Sequence, residues 1–416
     1  MDDLKRRLAR LGLTTGRSYT PKPRAKRADI EELVEGQVIE TGSGACFVIE
    51  RRFPLETRHG IHTLGEWLSL DLSILARLAD SNDLSEIQPD QYVFLDTETT
   101  GLGGGALAFQ VGVGIVTGQE MLIKQYFLRD PAEEPAMLVL LHELLQSKKV
   151  LVTFNGRTFD IPLLAGRFLL SRQRSNISAL PNLDLLGPAR RLWRRRLASC
   201  ALGSLESDVL GVKRTQSDVP GSLIPYLYRQ YLETRSAHDM VRVLYHNEID
   251  LLSMVTLGVK LAQTFGGPEK ASLPADDRLS LACWYQRGGM HAEAESAYRL
   301  AADEAPDIEL RYDALIGLAY LLKRSGRREE ALPCWIDIAD LKFDTLGHVE
   351  LAKHYEWHQA DLENALEWTE TAITLANSWR PGYRRTQALN ELHHRQQRLI
   401  RKLSGGSDRD VDSPED

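Results

Sequence analysis

The stretch from Ala106 to Leu128, ALAFQVGVGIVTGQEMLIKQYFL, is broken only at Thr117-Gly118-Gln119-Glu120. Two β-rich runs on either side of a short polar turn read as an antiparallel hairpin. That hairpin constrains what surrounds it. Tyr92 to Leu95 reads as a buried strand before it. Ala136 to Gln146 reads as a helix after it, with Leu138, Leu141, Leu144 and Leu145 at helical spacing. Val150 to Phe154 is a fourth strand, followed by helices over Ile161 to Arg172 and, further on, Asp239 to Ala262. The order predicts an α/β domain with a mixed sheet flanked by helices. Upstream, the two halves of VIETGSGACFVIERRF flank Gly-Ser-Gly and predict another hairpin.

From about residue 275 the pattern changes to helix and repeats itself. Leu281-Ala282, Leu318-Ala319 and Leu351-Ala352 each open a similar unit, spaced 37 and then 33 residues apart. That is close to the tetratricopeptide period of about 34 residues. Small residues at the alanine positions let paired helices approach, and aromatic residues such as Tyr298 and Trp335 fill the grooves. An irregular helical bundle is the alternative.

Composition narrows the class. Four cysteines, Cys46, Cys200, Cys283 and Cys334, lie far apart with no C-x-x-C pair, so neither a disulfide framework nor a zinc site is expected. No apolar run reaches the ~18 residues of a membrane span, and the charged start MDDLKRRLARLGL lacks the apolar core of a signal peptide. The expectation is a soluble, cytoplasmic protein with no membrane partner. The net charge of −7 does not advertise nucleic-acid binding, but its distribution is uneven. The first 30 residues hold nine Lys/Arg against three Asp, and Arg190, Arg191, Arg194 and Arg195 cluster around Trp193. Local fields decide where a phosphate backbone can lie.

Asp96 and Glu98 end the first strand of the α/β region in VFLDTETTG. Residues i and i+2 of a strand share a face, so both carboxylates project the same way and raise each other's pKa unless a cation lies between them. Hard Mg²⁺ or Mn²⁺ prefers such oxygen ligands. Asp160, in NGRTFD, follows the fourth strand, and Asp250, in HNEID, lies in the long helix four residues after His246. Four carboxylates with a nearby histidine are an inventory for two-metal phosphoryl transfer. Taken singly, Asp160 also reads as a helix cap and His246–Asp250 as a surface i,i+4 pair. Helix geometry favours His246 over Tyr245 as Asp250's neighbour, since four residues differ by about 40° and five by about 140°.

The ordered motifs DTETTG, NGRTFD and HNEID resemble those of the DEDD superfamily of 3′→5′ exonucleases, which have a ribonuclease-H-like fold. More narrowly, residues 89–262 resemble the YprB-type ribonuclease-H-like exonuclease family through LGGGALAFQVGVG, NLDLLGPARRLWRRRLASCALGSLESDVLG and SDVPGSLIPYLY. The segment ETGSGACFVIE…HGIHTL and the pairing with tetratricopeptide-like helices extend that resemblance over most of the chain. It implies Asp96, Glu98, Asp160 and Asp250 as ligands of two divalent ions, Mg²⁺ or Mn²⁺, with His246 orienting the water. The implied activity is removal of nucleotides from nucleic-acid 3′ ends. Both branches of that superfamily place their third-motif residue differently from His246 here. A non-catalytic scaffold for nucleic acid or protein is therefore the competing reading.

Further expected contacts to nucleic acid are Thr97, Asn155, Arg190, Arg191, Trp193, Arg194 and Arg195. Asn155-Gly156 also reads as a turn, Asp184 as a fifth acid or a cap, and Gly103-Gly104-Gly105 as a backbone approach or a turn. The helical repeats are expected to take a protein partner. The expected plan is a basic helix and linker (1–30), a β-containing accessory segment (31–88), the ribonuclease-H-like domain (89–265), the helical domain (266–402) and a disordered acidic tail (403–416).

Overall fold

The computed structural model describes residues 28–101, 103, 105–215, 218–266 and 272–405. The helix expected over residues 1–13, most of the basic linker, Gly104 and the acidic tail beyond residue 405 lie outside them. The strands are β1 Gln37–Thr41, β2 Gly44–Pro54, β3 Arg58–His59, β4 His62–Thr63, β5 Tyr92–Thr99, β6 Ala108–Val116, β7 Glu120–Phe127, β8 Val150–Thr153 and β9 Asn182–Asp184. The helices of eight residues or more begin with α1 Glu134–Gln146, α2 Asp160–Leu170, α3 Leu186–Trp193, α4 Ile224–Thr234 and α5 His238–Gly266. They continue with α6 Ala275–Arg287, α7 His291–Asp303, α8 Ile308–Arg324, α9 Arg328–Leu341, α10 Leu346–Trp357, α11 Leu362–Ser378 and α12 Tyr383–Leu403.

Contacts divide the chain into two compact units. One holds the residues up to Asp184 together with Glu206–Val259, and the other Leu185–Leu205 together with the chain from Lys260 onward.

In the first unit seven strands form one mixed sheet in the order β1-β2-β7-β6-β5-β8-β9. The neighbours from β1 to β5 run antiparallel, whereas β5–β8 and β8–β9 are parallel. The expected hairpins form, with Thr41 opposite Gly44 and Val116 opposite Met121. The region 31–88 does not stand apart as an accessory segment. β2 pairs with β7 from Phe47↔Phe127 to Pro54↔Glu120, so β1 and β2 extend the central sheet. A two-stranded hairpin alone is marginal in water, and the ladder with β7 supplies what it lacks.

Every residue of β6 is buried and β5 is nearly so, as a central strand covered on both faces requires. Alternation sends Val93, Leu95 and Thr97 to one face of β5 and Tyr92, Phe94, Asp96 and Glu98 to the other. On the second face Trp67 packs edge-on against Tyr92 and Phe94, with ring centroids 5.6 and 4.9 Å away. Such pairs add about 0.5–1.5 kcal/mol each beyond area burial. Helix α5 covers this face closely, since a methyl on Gly258 would lie 2.6 Å from the Trp67 ring.

The second unit is all-helical. Consecutive helices from α6 to α12 pack on one another. Their contacts run through small buried residues, among them Ala294, Ala301, Ala319, Ala331, Ala352, Ala365 and Ala372. Gly317 shows how tight this is, because a methyl there would lie 2.2 Å from the Tyr298 ring. The segment 185–205 joins this unit through the buried face of α3, including Leu192 and Trp193, and through Arg196, whose fork meets both oxygens of Asp277 at 2.9–3.1 Å. Among the described residues no helix is long and apolar enough to cross a membrane.

Candidate active site

The candidate site forms where β5 ends beside α5. Asp96 lies opposite Gly112 of β6 and Glu98 opposite Gln110, and the register then shifts at Glu98/Thr99. A bulge here re-aims the strand end, a common device next to functional sites. The bare backbone at Gly112 matters as much, because a methyl at this position would lie 2.1 Å from Asn247 Oδ1. Its absence lets α5 press Asn247 against the sheet. Buried there, Asn247 donates from Nδ2 to Asp96 Oδ2 at 2.7 Å and accepts at Oδ1 from Gln125 Nε2 at 2.9 Å. Gln125 also donates to the Leu244 carbonyl at 2.8 Å, so β7, α5 and β5 are tied into one chain of hydrogen bonds.

Asp160 opens α2 and is buried, accepting at Oδ1 from the Thr97 hydroxyl. Thr97, expected to touch nucleic acid, is itself buried and engaged with that acid. Asn155 takes up the left-handed conformation at φ 68° and Gly156 follows it, so the pair forms the turn. The Asn155 side chain is exposed and accepts from the Thr158 hydroxyl at 2.9 Å. Asp184 caps this turn, accepting from the backbone N–H groups of Asn155 at 2.8 Å and Arg157 at 3.1 Å.

The acids act on one another. Burial raises the Asp96 carboxyl well above its ordinary value, and the charges of Asp250 and Asp160 raise it further, against the Asn247 hydrogen bond. Glu98 is raised well above its usual range by burial, then by Asp96, Asp250 and Asp160. Burial pushes Asp160 up to about 6, with Asp184 adding to the shift and Thr97 opposing it. Asp250 is raised by burial, while His246 and Arg214 pull the other way. Four mutually destabilising carboxylates are the donor set that a hard divalent cation relieves.

Gln110 lies beside these acids on the neighbouring strand. Fully buried and directly across from Glu98, its amide nitrogen and oxygen both lack a partner among the described residues. Leaving such groups unmatched costs about 1–3 kcal/mol each. Among the described residues, no three His, Cys, Asp or Glu side chains are already gathered as a metal cage. Asn247, Thr97 and Arg214 hold Asp96, Asp160 and Asp250 instead.

His246 and Asp250 share a face of α5, with His246 Nε2 3.7 Å from Asp250 Oδ2. Asp218 Oδ1 lies 2.7 Å from His246 Nδ1 and, as a carboxylate, accepts there. Arg214 Nη1 lies 3.0 Å from the same Nδ1, so a carboxylate that accepts and a guanidinium that donates meet at one ring nitrogen. Tyr245 is half-buried, and its hydroxyl accepts from the Thr215 backbone at 3.3 Å.

Sequence reasoning missed Arg214, Glu206, Asp218 and Asn247. Arg214 grips Glu206 with Nε and Nη2, both at 2.6 Å, and also donates to Asp250. Glu206 is 1% exposed, so this guanidinium is what compensates its buried charge. The arginine lies in a segment with no regular secondary structure, and nothing in local periodicity marks it. The Asn of HNEID was the one visible signal. Trp193 requires a correction: at 1% exposure it is core, with no ring face to offer a base. Arg190, Arg194 and Arg195 are exposed in the helical unit.

A mixed sheet of this order, with paired acids on its central strand, is the frame of a ribonuclease H superfamily domain, and the profile of the RNase_H superfamily matches residues 93–262. Over 370 residues the chain is 30% identical to the uncharacterized protein YprB of Bacillus subtilis (strain 168), covering 86% of each sequence. The chain thus belongs to the YprB family, with a ribonuclease H superfamily domain as its α/β part.

Proposed function

We propose that the protein is a metal-dependent 3′→5′ exonuclease that hydrolyses the terminal phosphodiester of single-stranded nucleic acid and releases nucleoside monophosphates. The observation that carries this reading is the group of four carboxylates, Asp96, Glu98, Asp160 and Asp250, each raised by burial, with Asp96 and Glu98 raised further by the charges of the others. These residues would hold two divalent ions, Mg²⁺ or Mn²⁺. Bound there, the ions supply a nucleophilic water at neutral pH and charge compensation for the departing oxygen. His246 takes the water's proton at Nε2 while Asp218 keeps the ring oriented through Nδ1. Asn247 fixes the rotamer of Asp96, and Thr97 that of Asp160. The 3′→5′ direction follows from the family resemblance.

The helical unit reads as tetratricopeptide-like, with its alanine-lined helix pairs offering a surface to a protein partner. One observation favours the scaffold reading. Arg214 already gives Asp250 a positive partner from within the chain. Trimming of 3′-labelled DNA and RNA oligonucleotides by the pure protein with Mn²⁺ or Mg²⁺ decides between the two. Wild type should shorten at least one substrate and Asp96→Ala none. Equal trimming by the mutant refutes the catalytic assignment, and no trimming by wild type on any substrate favours the scaffold.

A further inference from the structure

The basic run of the sequence becomes a cavity in the helical unit. Helix α3 and the turn after it bring Arg190, Arg191, Arg194 and Arg195 to face α6, where Trp284 and Arg287 complete the lining of a space of about 380 Å³. That is within the ordinary size of ligand pockets. Among the described residues that line it, none is acidic. The Arg191 guanidinium lies 5.2 Å from the centre of the Trp284 ring, a cation–π contact. Trp284 is 6% exposed, so it forms the pocket's floor rather than a stacking platform. Arg195 is tethered to Asp313 at 2.9 Å, and Arg196 is committed to Asp277.

We propose that this pocket binds the phosphodiester backbone of a single nucleic-acid strand, as an anchor separate from the carboxylate site. The inference rests on the nuclease reading for its choice of ligand. Arg190, Arg194 and Arg287 bring three guanidinium groups to one cavity with no acid among the described residues that line it, and a bound polyanion offsets their mutual repulsion. Planar guanidinium forks match phosphate oxygens two at a time, which lysines would not do. The field is local, since the chain as a whole carries −7. The anchoring aromatic is Trp284, not the buried Trp193, so bases are not read here and the site is indifferent to sequence.

The test uses the full-length protein with a fluorescent oligothymidylate in EDTA, where no turnover occurs, across a salt series. Arg190 and Arg194 are exposed, so Arg190→Gln/Arg194→Gln removes charge without opening the core. The double variant should bind several tens of times more weakly at low salt. Its log-affinity against log-salt slope should be shallower by about 1.4, at about 0.7 per lost contact. If its melting midpoint moves, Arg287→Gln, also exposed, replaces it and should lose about half that slope change. Unchanged affinity and slope overturn the proposal, as does displacement of the oligonucleotide by polyglutamate at equal charge, which would mark a surface for acidic protein. Loss of binding in the arginine variant alongside a wild type that trims nothing removes the nuclease reading and leaves the pocket. Trimming with arginine-independent binding does the reverse.

Discussion

Gly112→Ala is the sharpest probe of how the sheet arms its acids. The new methyl would lie 2.1 Å from Asn247 Oδ1 and 2.7 Å from its Cγ. Reaching ordinary carbon contact distances requires Asn247 to retreat by about an ångström. It cannot do so and keep both the 2.7 Å bond to Asp96 and the 2.9 Å bond from Gln125. Overpacking costs about 1–3 kcal/mol, and leaving the buried Asp96 carboxyl without its donor about 1–3 kcal/mol more. A loss of about 2–4 kcal/mol in urea unfolding is expected, allowing for partial relaxation. Freeing Asp96 by an ångström should lower Mn²⁺-dependent hydrolysis on the order of 10²-fold. Gly118→Ala, in the hairpin turn where a methyl meets nothing within 4 Å, is the control. Gly112→Ala/Asn247→Ala should regain part of the stability, because the clash is gone, yet none of the activity, because Asp96 still lacks its donor. If Gly112→Ala alone stays within about 0.5 kcal/mol of wild type and hydrolyses normally, the helix–sheet contact is not what orders Asp96.

Other consequences are as direct. His246→Ala should lower turnover by about 10²–10⁴-fold, as loss of a general base does, and Tyr245→Phe by less than about tenfold. The opposite ranking in steady-state assays would move the role to Tyr245. Arg214→Gln leaves Glu206 buried without its counter-charge and should cost about 3–5 kcal/mol in urea titration. A variant as stable as wild type would remove Arg214 from the structural account. Burial lowers the His59 imidazole to about 4 from 6.5, although Glu206 opposes the shift. Its stabilising contribution is therefore full above pH 6.5 and is lost as the pH falls towards 4, by about 3 kcal/mol in all. Denaturation curves should show His59→Gln losing less stability over that interval than wild type, and equal losses would mean that another group governs it.

Much of the α/β frame was legible because its signals are local. The TGQE turn, the unbroken apolar run of β5 from Tyr92 to Leu95 and the leucines of α1 each depend on residues a few positions apart. The pairing of Asp96 with Glu98 follows from strand alternation. The ends of elements moved by one to four residues, as with α5, which starts at His238 and runs to Gly266. Fraying ends are set by whatever packs against them. The placement of 31–88 and 185–205 was not legible. Both segments look self-contained in order along the chain, and long-range contacts such as the β2–β7 ladder and the Arg196–Asp277 pair assign them to their units.

By itself, then, the sequence determined the kinds of element, their order, and the acids that a strand end and a helix face must carry. Chain geometry makes those properties of near neighbours. The tertiary structure alone decided which groups hold the acids: Asn247 on Asp96 across 151 residues, Thr97 on Asp160 across 63, and Arg214 on Asp250. It also decided which aromatic ring meets the arginines, since Trp193 is turned into the core while Trp284 lies beneath Arg191. The Asn247 contact arises because a sheet without a side chain at Gly112 admits a helix to hydrogen-bonding distance. No period in the sequence encodes that distance.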